Sequence, residues 1–230
     1  MSKRIDIIDP TIYTPNSRGL IYTEVLGWID LGHALGNDIR DILFQFQKGE
    51  ATGSHYYLIH YEQTMRNRYF GTGRHIRWNI KRGRSLSERH SIALAMMMQT
   101  ASLFESWQSM PWFSWYTDSG FSAEDMVSDL LGFYNVIQPM NYFSLIKPVS
   151  KESALRRWDY YGSPGDYKNT GFRPLLFPDP IDKLSRLKPY KSNLPGFMTT
   201  IEPFTDFSSD VVRVIDKASI ITEIGTWRVP

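Results

Sequence analysis

A chain of 230 residues with 42% hydrophobic residues can bury a real core, and a formal charge of +2 gives no strong case for nucleic acid, which is not expected as a partner. It contains no cysteine, which removes disulfides, thiolate nucleophiles and cysteine-based zinc sites together. No run approaches the ~20 apolar residues of a membrane span, and MSKRIDIIDP lacks the apolar stretch of a signal peptide. The expectation is a protein made soluble in the cytoplasm, without a transmembrane segment, or one exported by a route that reads no such leader.

In chain order, GLIYTEVLGW (19–28) reads as a short strand or buried extended stretch, followed by the loop IDLGHALGN. Asn37 caps a helix whose inward stripe is Ile39, Ile42, Leu43 and Phe46 and which Gly49 ends. HYYLIHYE (55–62) alternates as a strand does. RYFGTGRHIRWNI, with Gly71 and Gly73 at its centre, reads as an irregular hairpin or a strand after a turn. The basic and aromatic residues interleaved around it could bind phosphates or single strands, and a solvated hairpin face explains them as well. Ser85 and Glu88 have capping-box spacing and open a long helix that closes before Pro111. The aromatic loop MPWFSWYTDSG follows, then a helix opened by Ser122.

Nine of the thirteen prolines lie from Pro148 onward, so this stretch seldom builds its own core. It should contain a helix near Lys151 to Tyr160 and a final extended or helical piece through VVRVIDKASIITEI. Together the elements define an α+β fold: a mainly helical core, a small antiparallel β-hairpin or sheet, and a long proline-rich, loop-dominated C-terminal wrap. The core domain is expected over 1–147 and the wrapping segment over 148–230.

Candidate chemistry gathers around three stretches. In the long helix, Glu105 follows Leu94, Met98 and Ala101 by eleven, seven and four residues, which places it on the inward stripe. A carboxylate there must find a partner or hold its proton, because desolvation of the charged form costs several kcal/mol. In GWIDLGH, Asp30 precedes His33 by three residues, and an Asp that accepts from one imidazole nitrogen frees the other as base or ligand. Gly27, Gly32 and Gly36 would let a backbone approach a bound group. The alternative is that Asp30 caps a turn and His33 is a half-buried loop histidine. In FSAED, Ser122 as N-cap puts Glu124 and Asp125 in the first helical turn, where negative charge complements the helix dipole. Asp129 lies four residues after Asp125, and two like charges at that spacing call for a cation or a shared proton. No HExxH or similar metal spacing and no GxSxG occurs.

GWIDLGHALGND, ASLFESWQ and SGFSAEDMVSDLLGFY together resemble an uncharacterised bacterial family, a domain of unknown function with envelope-associated lipoprotein members. Its pattern has an IDxGH element, a helix ending in Glu beside an aromatic, and an FSxEDxxSNxxG helix start. His33, Glu105, Ser122, Glu124 and Asp125 match it over roughly residues 18–134. Asp129 stands where the family often has Asn, and the chain begins without a lipoprotein leader.

The combined reading is a hydrolase acting on a bacterial envelope component, peptidoglycan or lipid-linked. Glu105 would be the acid, His33 or Asp125 the base, and Asp30 the residue that orients the imidazole. The resemblance further implies an effector aimed at rival cells, acting in a periplasm and met by a cognate immunity or delivery protein. The alternatives are a non-catalytic interaction module with a structural His/carboxylate network, and a metal-dependent hydrolase that uses a divalent ion through His33, Asp38 and the helix acids. No other cofactor is implied.

Overall fold

The computed structural model of the chain describes residues 2–66, 70–108, 124–167, 169, 171–182, 188–207 and 209–224, with backbone alone at 62–66, 70–75, 101–108 and 216–224. Its elements are β1 (Leu20–Thr23), β2 (Gly27–Asp30), α1 (Asn37–Glu50), β3 (Tyr56–Arg66), β4 (Phe70–Lys81), α2 (Leu86–Gln108), α3 (Asp125–Ile137), α4 (Tyr142–Ile146), α5 (Lys151–Tyr161), β5 (Leu175–Leu176), β6 (Tyr190–Lys191) and β7 (Val212–Ile224). The class is α+β. Two compact units interleave along the chain: Met1–Asn37 with Glu105–Thr200, and Asp38–Phe104 with Ile201–Pro230. This division cuts across the sequential split at 147/148 that composition suggests, because strands pair with segments far away in sequence.

In the first unit β1 and β2 form an antiparallel hairpin, Leu20 opposite Asp30 and Thr23 opposite Gly27. The stretch that reads as one strand therefore folds back on itself. Thr23 holds the turn, its Oγ1 accepting from the Leu26 N–H (3.0 Å) and donating to the Gly27 carbonyl (3.1 Å). Gly27 has a φ of +74°, and its backbone lies directly against the Leu175 carbonyl where β5 joins β2 in parallel. β6 completes this four-stranded sheet.

The core around it is aromatic. Ile7, Leu20, Tyr22, Trp28, Ala154, Leu175 and Phe177 cluster, with Trp158, Tyr161 and Tyr167 packed against them. Tyr22–Trp28, Trp28–Trp158 and Tyr167–Phe177 meet edge to face at 5.2, 6.0 and 4.9 Å, a geometry that aromatic quadrupoles favour. Arg157 lies 4.4 Å from the Tyr22 ring and bonds the Phe177 carbonyl, Ser153 and Asp179. The proline-rich stretch up to residue 200 is thus tied to the β1–β2 sheet through α5 and β5.

In the second unit β3, β4 and β7 form an antiparallel sheet in that order, so the last element is extended and widens the expected hairpin to three strands. Tyr57, Ile59, Tyr61, Ile76, Trp78, Ile80 and Val212 are buried, while Leu58, His60, Arg77 and Lys81 alternate outward. On α1 the residues Ile39, Ile42 and Phe46 are buried and Leu43 is half-buried. Gly49 does not end α1 but lies within its last turn, where a Cβ would drive into the Tyr57 ring. α2 opens with the expected capping box: the Glu88 N–H donates to Ser85 Oγ (3.2 Å) and the Ser85 N–H to Glu88 Oε2 (2.8 Å). Ile92 through Met97 are all buried, and Met98 is half-buried, so the apolar surface is a belt and not a narrow stripe. No helix among the described residues is long and apolar enough to cross a membrane.

Candidate functional site

The site lies in the first unit, where the tight turn His33–Leu35 packs on α3. Two glycines make the approach possible. Gly36 closes the turn at φ +62°, a left-handed conformation that costs glycine little. A Cβ at Gly132 would stand 2.6 Å from the His33 carbonyl oxygen, and one at Gly36 would fall on the Gly132 carbonyl. Backbone therefore meets backbone, and the expectation that Gly36 leaves room for a bound group gives way to contact with the chain itself. Gly27 repeats this against Leu175.

Side chains then fasten the turn. His33 Nδ1 and Asp129 Oδ1 are 2.7 Å apart across 96 positions. The Asp30 N–H donates to Ser128 Oγ (2.9 Å), which itself donates to the Glu124 carbonyl (2.6 Å). Asn135 donates to the Ala34 carbonyl at 2.8 Å.

Asp129 keeps 9% of its side-chain surface exposed and His33 keeps 46%. The imidazole is held at Nδ1 by Asp129 while its side chain keeps part of its surface exposed. Desolvation pulls the His33 pKa down. The charge and hydrogen bond of Asp129, with the charges of Asp125 and Asp30, outweigh it and leave the pKa well above the ordinary histidine value. The shift favours the charged form of the imidazole, a cation placed beside the Asp125/Asp129 pair.

Other candidates are placed differently from the sequence reading. Asp30 does not orient the imidazole; its Oδ1 accepts from the backbone N–H groups of Gly32 (2.6 Å) and His33 (3.3 Å), so it caps the turn, and Asp129 takes the orienting position. Glu124 precedes the helix at its N-cap instead of lying in the first turn, is 2% exposed, and accepts from Ser2 Oγ at 3.0 Å. Asp125 is the first residue of α3 and half-buried. Glu105 falls in α2 where the backbone alone is described, and Ser122 and the aromatic loop from Pro111 to Tyr116 lie outside the described residues. Sequence reasoning did not assign Asp129 as the partner of His33 or Ser128 as the clasp on Asp30.

Among the described residues no three His, Asp or Glu side chains are grouped so as to hold a metal ion, which leaves the His33/Asp38 metal reading without a ligand set there. No protein-family model, curated protein or solved structure matches the chain.

Proposed function

We propose that the chain is a hydrolase of the acid–base type and that the His33–Asp129 pair is its centre. The observation that carries this is a partly exposed imidazole held through Nδ1 by a nearly buried carboxylate. In such a pair the carboxylate fixes the ring and stabilises its charged form, and the outer nitrogen moves the proton. With its pKa raised, His33 serves as the acid that protonates a leaving group. Asp125, whose charge also raises the His33 pKa, is the carboxylate that takes a proton from water. Glu105 is kept as a further acid on sequence phase alone. The likeness of GWIDLGHALGND and SGFSAEDMVSDLLGFY to the envelope-associated family supports a glycan or lipid-linked envelope substrate.

The second reading is a non-catalytic interaction module. It is favoured by the way Asp30, Ser128 and Glu124 spend their polar atoms on neighbouring chain. His33→Gln and Asp129→Asn separate the two when peptidoglycan and lipid-linked precursor turnover and thermal melts are measured on the same preparations. A catalytic pair predicts a fall of at least about a hundredfold in rate per folded molecule. Unchanged turnover with a lowered melting temperature assigns the pair to structure.

A further inference from the structure

We propose that Ser128 and Asn135 are positioning residues for His33, gripping its turn from both sides and so setting how the imidazole meets Asp129. At the entry to the turn, Ser128 Oγ accepts from the Asp30 N–H at 2.9 Å while donating to the Glu124 carbonyl at 2.6 Å. The hydroxyl is thereby aimed by the backbone of α3 itself, and Ser128 is fully buried. At the exit, Asn135 Nδ2 donates to the Ala34 carbonyl at 2.8 Å. Ser128, Gly132 and Asn135 follow one another at i, i+4 and i+7, one stripe of the helix. The two grips are therefore two helical turns apart, about 10 Å along α3. Gly132 between them lets the His33 carbonyl come close, and Asp129 beside them meets His33 Nδ1 at 2.7 Å.

Both grips reach His33 through the backbone on either side of it. Asp30, held by Ser128 through its N–H, passes that hold on through its carboxylate, whose Oδ1 accepts from the Gly32 and His33 N–H groups. Asn135 holds the next residue along, Ala34, which is itself buried. A turn fixed before and after the histidine gives the ring one seat against Asp129, and the strength of that bond falls steeply with distance and angle. The two halves of the device can be read in the sequence as DLGHALG (30–36) and SDLLGFYN (128–135). Calling Ser128 and Asn135 part of a reaction rests on the acid–base reading of the site; their grip on the turn does not.

Ser128→Ala and Asn135→Leu, each in the full chain, are compared with Thr23→Ala, which removes a buried hydroxyl from the β1–β2 turn of the same unit. NMR titration of the His33 ring, thermal melts and turnover of peptidoglycan and lipid-linked precursor are read on the same preparations. All three substitutions should lower the melting temperature. Ser128→Ala and Asn135→Leu alone should bring the His33 titration toward the ordinary value of about 6.5. They should also lower kcat on the order of tenfold with KM little changed, as a displaced catalytic group does. In an Asp129→Asn chain, which has already lost the pair, the same two changes should leave the His33 titration where that substitution put it. The proposal is overturned by a His33 titration unmoved in both variants, by Thr23→Ala moving it as far, or by the full shift persisting in the Asp129→Asn chain. If His33 moves as expected while no form of the chain, parent included, turns over envelope material, the positioning stands and the hydrolase reading falls.

Discussion

Replacing Gly132 with alanine pits a local rule against the site's packing. Gly132 lies inside α3, where alanine is favoured over glycine by roughly 1 kcal/mol in an open helix. The added Cβ would stand 2.6 Å from the His33 carbonyl oxygen, where real Cβ contacts essentially never fall below 3.0 Å, and 3.1 Å from both N and Cα of Gly36. None of these atoms is the tip of a flexible side chain. Gly36 is already in its left-handed conformation, with its N–H bonded to the His33 carbonyl at 3.1 Å, so the turn must lift as a unit, by several tenths of an ångström. Overpacking of this kind costs about 1–3 kcal/mol. Lifting the turn also stretches the His33–Asp129, Asp30–Ser128 and Asn135–Ala34 bonds, each worth about 1 kcal/mol. After the helical gain, a net loss of about 2 kcal/mol is expected, read as a lower urea midpoint at unchanged slope. The His33 ring resonances should at the same time titrate nearer the ordinary histidine pKa. A Gly132→Ala chain as stable as the parent, with His33 titrating as before, would show that the turn is not seated on α3 as described.

Three further outcomes follow from the charged groups. Because the folded pKa of His33 is raised, its pairing contributes fully below the unfolded value of about 6.5 and is lost as pH rises through the folded pKa. The parent's urea midpoint should accordingly fall on the alkaline side in a step that Asp129→Asn lacks, and superimposable profiles would rule the pairing out. Asp179 behaves oppositely: burial alone would raise its pKa, but hydrogen bonds from Arg156, Ser153 and the Ile181 N–H, with the charge of Arg157, hold it well below the usual carboxylate range. Its contribution is present above about pH 3.9 and lost as pH falls toward the folded pKa. Asp179→Asn should cost about 2 kcal/mol at neutral pH, as bonds to a charged group do, and shrink toward no effect in acid unfolding curves. In Glu50→Gln one amide end faces a donor, since Oε1 accepts from Tyr57 and the Arg84 N–H and Oε2 from the Gly83 N–H. Calorimetry should show a loss of about 1–2 kcal/mol, and an unchanged melt would mean the carboxylate does not bridge α1 to these donors.

Elements that depend on neighbours in sequence were legible beforehand. The Ser85/Glu88 box, a helix from about Asn37, the alternation of β3 and the helix near Lys151 to Tyr160 follow from residues close in sequence, and the structure has them, with Asn37 the first helical residue and not the cap. Elements whose form is settled by a distant partner were not. TEVLG carries no Asn-Gly or Asp-Gly turn signature, and its reversal depends on Thr23 capping its own loop and on Gly27 lying against Leu175. VVRVIDKASIITEI is compatible with helix or strand until β4 offers it an edge. Gly49 reads as a helix stop, whereas its small size answers to Tyr57, a residue of β3.

The site divides along the same line. An Asp two or three residues before backbone N–H groups in a tight turn satisfies itself locally, because such bonds need almost no chain closure. That is what Asp30 does with Gly32 and His33, and it leaves the imidazole to find its acceptor elsewhere. Asp129 is the reverse case. It lies beyond the first turn of α3, where backbone N–H groups are consumed by the helix, and four residues after another Asp. A carboxylate so placed, with 9% of its side chain exposed, meets His33 Nδ1 at 2.7 Å. One partner of its charge comes from another element, a histidine in a glycine-flanked turn that can take up the proton that makes it a cation. Position on the helix, more than spacing from His33, is therefore the signal that separates the pairing acid from the capping acids.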